Sequence, residues 1–220
     1  MSVEMGIIFD MDGVIVDSNP YHERAWRQFC KSHKIKLTDK ELHQYIFGRI
    51  AKDTVDYIFK KDHSMEEVYR YVDEKERIYR KMYAKKIKLL EGLDAFLREM
   101  KKMGIPLAIA TSAPKDNVNF LFKHLPIRDF FRFVLDETDI KKGKPDPEIY
   151  DKAIGRLGIP PWKCIVFEDS FSGVQSALTA GAQVIGVATT HRPEKFDRIS
   201  MVIENFRDLH FKNLLTIINE

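Results

Sequence analysis

Cysteine is scarce in this 220-residue chain, with only Cys30 and Cys164 present. Two thiols so far apart make neither a disulfide framework nor a thiolate zinc site. The chain is long enough to bury a core without such staples. An excess of one charge sign is also missing. Lys plus Arg at 36 against Asp plus Glu at 33 leaves +3, so nothing calls for nucleic acid or an anionic membrane. No uninterrupted apolar run approaches the ~20 residues of a membrane span. The first apolar segment, Met5 to Phe9, is too short for a secretory leader and has no basic residue ahead of it. Repeats of 20–50 residues and low-complexity tracts are lacking. The expectation is a soluble, reducing, cytoplasmic protein, a monomer or weak homo-oligomer, that binds neither nucleic acid nor membrane.

What is present is a rhythm of short apolar runs. Met5 to Phe9, Pro106 to Ala110, Phe131 to Leu135, Cys164 to Phe167 and Gln183 to Ala188 are bounded by turn residues, and Met201 to Ile203 is a weaker sixth. Such runs read as buried parallel strands. Helical stretches lie between them: Gly92 to Met103, Lys115 to His124, Pro147 to Leu157 and Gly173 to Ala180. Three of the stretches end at Gly104, Gly158 and Gly181, as helices often do. Alternating strands and helices predict right-handed βαβ units, hence an α/β fold with a parallel sheet. The rhythm breaks from about Pro20 to Lys88, where only helical spacing occurs: Tyr21 to His33, Asp39 to Phe47, Lys52 to Phe59 and Met65 to Lys86. That is too long for one crossover. It predicts an inserted helical domain over 18–87, with the core formed by 1–17 and 88–220.

In an open parallel sheet, ligands bind at the carboxyl ends of the strands. After the first strand comes Asp10-Met11-Asp12-Gly13; two acids two apart in an extended chain point the same way. After the second comes Thr111-Ser112-Ala113, a hydroxyl and backbone N–H groups able to hold an anion or merely to cap a helix. After the third, Lys144 sits in the proline-stiffened Lys142-Gly143-Lys144-Pro145-Asp146-Pro147. After the fourth come Glu168-Asp169-Ser170, adjacent acids that are costly to bury unless they meet a cation. Each alone has a plain reading: a cap or turn for the acids, an ordinary N-cap for Thr111-Ser112, and a solvated basic loop for Lys144. Together they offer a carboxylate nucleophile, a phosphate corner, a counter-cation and an all-oxygen ligand set suited to Mg²⁺ rather than zinc.

FDMDGVIVDS, ATSAP, KGKPDPEIY and VFEDSFSGV, in this order, resemble the four motifs of the haloacid dehalogenase superfamily over nearly the whole chain. The helical insert resembles the cap of the subgroup containing β-phosphoglucomutase and phosphoglycolate phosphatase. The resemblance implies a Rossmann-like core of strand order 3-2-1-4-5 and Mg²⁺-dependent phosphoryl transfer. It implies that Asp10 is the nucleophile and forms an aspartyl-phosphate. Asp12 is then the general acid and base, with a backbone carbonyl on the metal. Asp169 binds Mg²⁺, and Glu168 does so directly or through water. Thr111 and Ser112 hold phosphoryl oxygens, and Lys144 neutralises charge. In the cap, His22 matches a mutase position. Arg49 follows Gly48 directly, whereas the mutase loop has its arginine three residues after the glycine, where Ala51 stands here. Lys75 is a further cap cation, though its charged helix favours solvation. The expected activity is phosphatase action on a small phosphorylated metabolite of sugar phosphate or phosphoglycolate type. A phosphomutase is the alternative, and a catalytically idle binding module a second one.

Overall fold

A computed structural model describes residues 4–46 and 51–219. Contacts divide the chain into two compact units, Met1–Asp17 with Ile87–Glu220, and Ser18–Lys86. No described helix is long and apolar enough to cross a membrane.

The first unit is built on six parallel strands: β1 (Gly6–Phe9), β2 (Leu107–Ala110), β3 (Phe131–Leu135), β4 (Cys164–Glu168), β5 (Gln183–Val187) and β6 (Met201–Ile203). Their order is β3-β2-β1-β4-β5-β6. The expected five-strand order is present, and the weak sixth run adds an edge strand beside β5. Helices α5 (Leu93–Lys102), α6 (Lys115–His124), α7 (Glu148–Leu157), α8 (Phe171–Thr179) and α9 (Phe211–Asn219) complete this unit. The second unit holds α1 (Asn19–Ser32), α2 (Asp39–Tyr45), α3 (Ala51–Phe59) and α4 (Met65–Tyr83).

Alternation along the strands explains the two covered faces. Ile8 pairs in register with Ala108 and Val166, and these pack with Ile149, Ala153, Val174 and Ala177 of α7 and α8. The next residues face the other way. Phe9 stacks on Phe167 with centroids 5.0 Å apart, and Phe96 and Phe206 meet it at 6.3 and 6.2 Å. Buried aromatic pairs of this kind contribute area and edge-to-face attraction. The register that aligns Phe9 with Phe167 also brings the next residues, Asp10 and Glu168, side by side at the sheet's carboxyl edge.

The helical unit is locally encoded. Thr38 and Glu41 form a capping box on α2, as do Ser64 and Glu67 on α4. Helices α1 and α3 pack on α4 around Phe29, Cys30, Leu42, Ile46 and Ile58.

Candidate active site

The Asp10 N–H donates to the Phe167 carbonyl at 3.0 Å, extending the β1–β4 ladder to the last residue before the chain turns. The turn is made at Gly13, whose φ of 77° lies in the left-handed region that side chains oppose. Its N–H returns to the Val16 carbonyl at 2.8 Å. Asp12 is half-buried in this turn, its backbone bridged to Val16.

Lys144 joins the strand ends. Its Nζ donates to Asp10 Oδ1 at 2.7 Å and to Glu168 Oε1 at 2.5 Å. It lies 4.8 Å from the centre of the Tyr150 ring. Glu168, 1% exposed, is held on every side. Tyr150 OH donates to Oε1 at 2.8 Å, while the N–H groups of Asp169 and Ser170 and the Ser170 hydroxyl each donate to Oε2 at 3.0 Å. Ser170 Oγ in turn accepts from Gly173 N–H at 3.1 Å, capping α8. Gly173 is required there, because a Cβ would sit 1.8 Å from Glu168 Oε1. Asp169 accepts a short hydrogen bond from the Thr190 hydroxyl. The neighbouring Thr189 hydroxyl donates to the Gly13 carbonyl at 2.6 Å. The loop after β5 is thereby tied to both acidic motifs.

Thr111 is 1% exposed at the end of β2. Its hydroxyl accepts from Ala113 N–H at 3.1 Å, and a hydroxyl that accepts still carries a proton to donate. Neither Thr111 nor Ser112 caps α6; Pro114 is the N-cap. Ser112 is exposed.

Charge in this corner is unbalanced: buried Asp10, Glu168 and Asp169 surround the single ammonium of Lys144. Burial pushes the Asp10 carboxyl up to about 7 against the pull of Lys144, and Glu168 and Asp12 add repulsion. Asp169 is raised too, by burial and then by Glu168 and Asp10. Glu168 is held below the usual range, because Lys144 and its hydrogen-bond donors outweigh burial. Burial also works against the Lys144 charge, but the two carboxylates on it win and keep it protonated. Among the described residues no three acidic, histidine or cysteine side chains form a ready metal cage. Mg²⁺ does not need one, since it takes one or two carboxylates, keeps several waters and shares substrate phosphate. The surplus of buried negative charge and the hard oxygen donors fit that ion.

The helical unit holds a separate cluster. Lys75 Nζ lies 2.8 Å from His22 Nδ1 and donates to Glu76 Oε1 at 2.7 Å. His22 stacks on Tyr79 at 3.8 Å. Lys75 is 4% exposed, so the expectation of a solvated lysine is corrected: Trp26 and Tyr79 cover it. Gly48 and Arg49 lie outside the described residues.

Two contributors were not singled out from sequence. Tyr150 stands inside KGKPDPEIY, in the first turn of α7. Thr190 follows β5, and reading that strand end as the other four were read would have flagged it.

The sequence model of the haloacid dehalogenase-like hydrolase family matches residues 7–187. The chain belongs to that family. Among haloacid dehalogenase-like relatives, the phosphorylated carbohydrates phosphatase of Thermotoga maritima is 34% identical over 81% of this chain and 82% of its own length. The β-phosphoglucomutase of Bacillus subtilis is 29% identical over 82% of each chain. A crystal structure of a HAD hydrolase, family IA, variant 3, from Entamoeba histolytica superposes with a TM-score of 0.92 at 31% identity. It covers 98% of this chain and 100% of that one.

Proposed function

We propose that this protein is a Mg²⁺-dependent phosphatase of small phosphorylated carbohydrates that works through an aspartyl-phosphate on Asp10. The observation that carries the reading is the Lys144 ammonium shared between Asp10 and Glu168 at the sheet's carboxyl edge.

A carboxylate and a phosphate monoester repel, by about 4 kcal/mol for unit charges ~4 Å apart at an effective dielectric of 20. Lys144 lowers that barrier at the nucleophile itself. One Asp10 oxygen attacks phosphorus while the ester P–O bond breaks. Asp12, two residues further along the chain, gives its proton to the departing alkoxide. In the second half Asp12 takes a proton from water, whose oxygen attacks the same phosphorus while the P–O bond to Asp10 breaks, freeing the Asp10 carboxylate and forming orthophosphate. The Thr111 hydroxyl and the Ser112 N–H hold the equatorial oxygens. Asp10, Asp169 and the Asp12 carbonyl are the groups that would hold Mg²⁺, which supplies charge neutralisation at the transferring phosphoryl group. We assign Ser18–Lys86 the part of a cap that selects the substrate.

Purified protein with Mg²⁺ is expected to release orthophosphate from p-nitrophenyl phosphate and from several sugar phosphates, and Asp10→Asn to abolish that release. No turnover across such a panel refutes the reading.

The cluster of half-buried His22 with buried Lys75 and Glu76 favours one second reading, a phosphomutase. Mixing the protein with β-glucose 1-phosphate and a trace of glucose 1,6-bisphosphate separates the two. Glucose 6-phosphate without matching orthophosphate marks the mutase. The strand-end set of Asp10, Asp12, Thr111, Lys144 and Asp169 is intact in sequence and speaks against an idle binding module.

A further inference from the structure

We propose that Tyr150 is a positioning residue for Lys144, and that its hydroxyl commits Glu168 to that lysine rather than to the metal. The proposal rests on the phosphoryl-transfer reading above and refines the roles within it.

A carboxylate offers about four lone-pair sites. Glu168 meets five donors, Lys144 and Tyr150 on Oε1 and the Asp169 N–H, Ser170 N–H and Ser170 hydroxyl on Oε2. Its acceptor capacity is spent. Direct metal binding through either oxygen would strip a partner from a buried donor, the Tyr150 hydroxyl on one side or the Asp169 and Ser170 N–H groups on the other, and unpaired buried donors are strongly disfavoured. Rotation of the carboxylate out of this cradle is blocked below by Gly173, whose Cα leaves no room for even a methyl group between itself and the carboxylate.

Tyr150 is fully buried, so its hydroxyl needs a partner; it donates to Glu168, and the Lys144 ammonium lies within hydrogen-bonding reach of the same hydroxyl. The same ring lies beside the Lys144 ammonium. Lysine carries a flexible four-carbon stem. Here Asp10 and Glu168 fix the tip, and the tyrosine fixes Glu168. The sequence ties these parts together: Lys144 and Tyr150 are six residues apart, in the loop before α7 and in its first turn. Glu168 then works as the anchor that aims Lys144 at Asp10, and the metal is left to Asp10, Asp169 and the Asp12 carbonyl.

Tyr150→Phe tests this, because it removes only the hydroxyl and keeps the ring against Lys144. Two quantities are read on the full chain: kcat and KM for p-nitrophenyl phosphate, and the Mg²⁺ Kd by calorimetry without substrate. The expected result is a kcat about tenfold lower, the scale of one hydrogen bond to a charged group, with KM and the Mg²⁺ Kd within about twofold of wild type. In a Lys144→Met background the same change should cost nothing further, since the tyrosine acts through that lysine. A Mg²⁺ Kd raised about fivefold or more overturns the proposal and makes Glu168 a metal ligand that Tyr150 orients. A wild-type kcat in Tyr150→Phe, or a full tenfold loss in the Lys144→Met background, overturns it as well. A wild type that binds Mg²⁺ but hydrolyses no ester sinks the phosphatase reading instead, and the Mg²⁺ Kd alone then decides the role of Glu168.

Discussion

Replacing Gly173 by alanine places a methyl carbon 1.8 Å from Glu168 Oε1, 1.9 Å from its Cδ and 2.3 Å from Oε2. Nothing at this contact is the loose end of a side chain, because all three atoms belong to a carboxylate fixed by Lys144, Tyr150 and the Ser170 corner. In an ordinary helix the change is favourable by about 1 kcal/mol. Here the carboxylate must leave, and breaking a buried ion pair costs about 3–5 kcal/mol. The net is a loss of about 2–4 kcal/mol. For a chain of this size that lowers Tm by roughly 4–16 °C. Activity should fall at least about 100-fold, because Lys144 loses its anchor beside Asp10. Gly155 supplies the control. It lies inside α7 with nothing within 4 Å of the point where an alanine methyl would sit, so Gly155→Ala should raise Tm by a degree or more through about 1 kcal/mol of helix propensity. Thermal melts of the two variants, with p-nitrophenyl phosphate turnover, decide the matter. A Gly173→Ala protein that melts at or above wild type with full activity refutes the packing argument.

Thr190→Val should raise the half-saturating Mg²⁺ concentration about tenfold by releasing Asp169, with Thr190→Ser restoring it; a flat Mg²⁺ titration would remove Thr190 from the site. The Asp10 carboxyl is raised to about 7, so its stabilising contribution to the metal-free protein is full below the unfolded value near 3.8 and is lost as pH rises through about 7. Mg²⁺ prefers the ionised form. The Mg²⁺-induced rise in Tm should therefore be larger at pH 8 than at pH 5.5, and equal shifts at both would contradict a burial of Asp10 that outweighs the pull of Lys144. Phe167→Ala, which removes the ring stacked on Phe9, should cost about 3–5 kcal/mol in chemical denaturation.

Much of this architecture was legible in the sequence because two periodicities dominate it. The β3 run Phe131 to Leu135 and the α6 run Lys115 to His124 match their observed bounds, since turn residues and apolar spacing agree there. The strand-end rule points to Asp10, Thr111, Lys144 and Glu168 from the sequence alone. It could not show that Lys144 bridges Asp10 and Glu168, because that contact spans 134 residues in one direction and 24 in the other. Helix α9 was not read at all. Its run Phe211–Asn219 carries Thr216, Ile217 and Ile218, β-branched residues of modest helix propensity, and only packing through Leu214 and Ile217 selects the helix. Lys75 was misread for a related reason: the charged neighbours along α4 suggest water, while the rings that shelter it are Tyr79, one turn further along the same helix, and Trp26 of α1, which the local pattern cannot bring to it.

The backbone of Val16 is bridged to Leu89, and Leu90 N–H donates to the Ile15 carbonyl at 2.9 Å. The stem by which Ser18–Lys86 departs and comes back is therefore zipped shut within the sheet-bearing unit. Thermodynamically the whole excursion is a long loop with clasped ends, and the entropy of closing a loop grows only slowly with its length. Helices there can be lengthened or shortened while the strand register, and with it the spacing of Asp10 and Glu168, stays untouched. Under the cap role proposed above, a single hydrolytic centre could be refitted for different esters by rewriting one cassette.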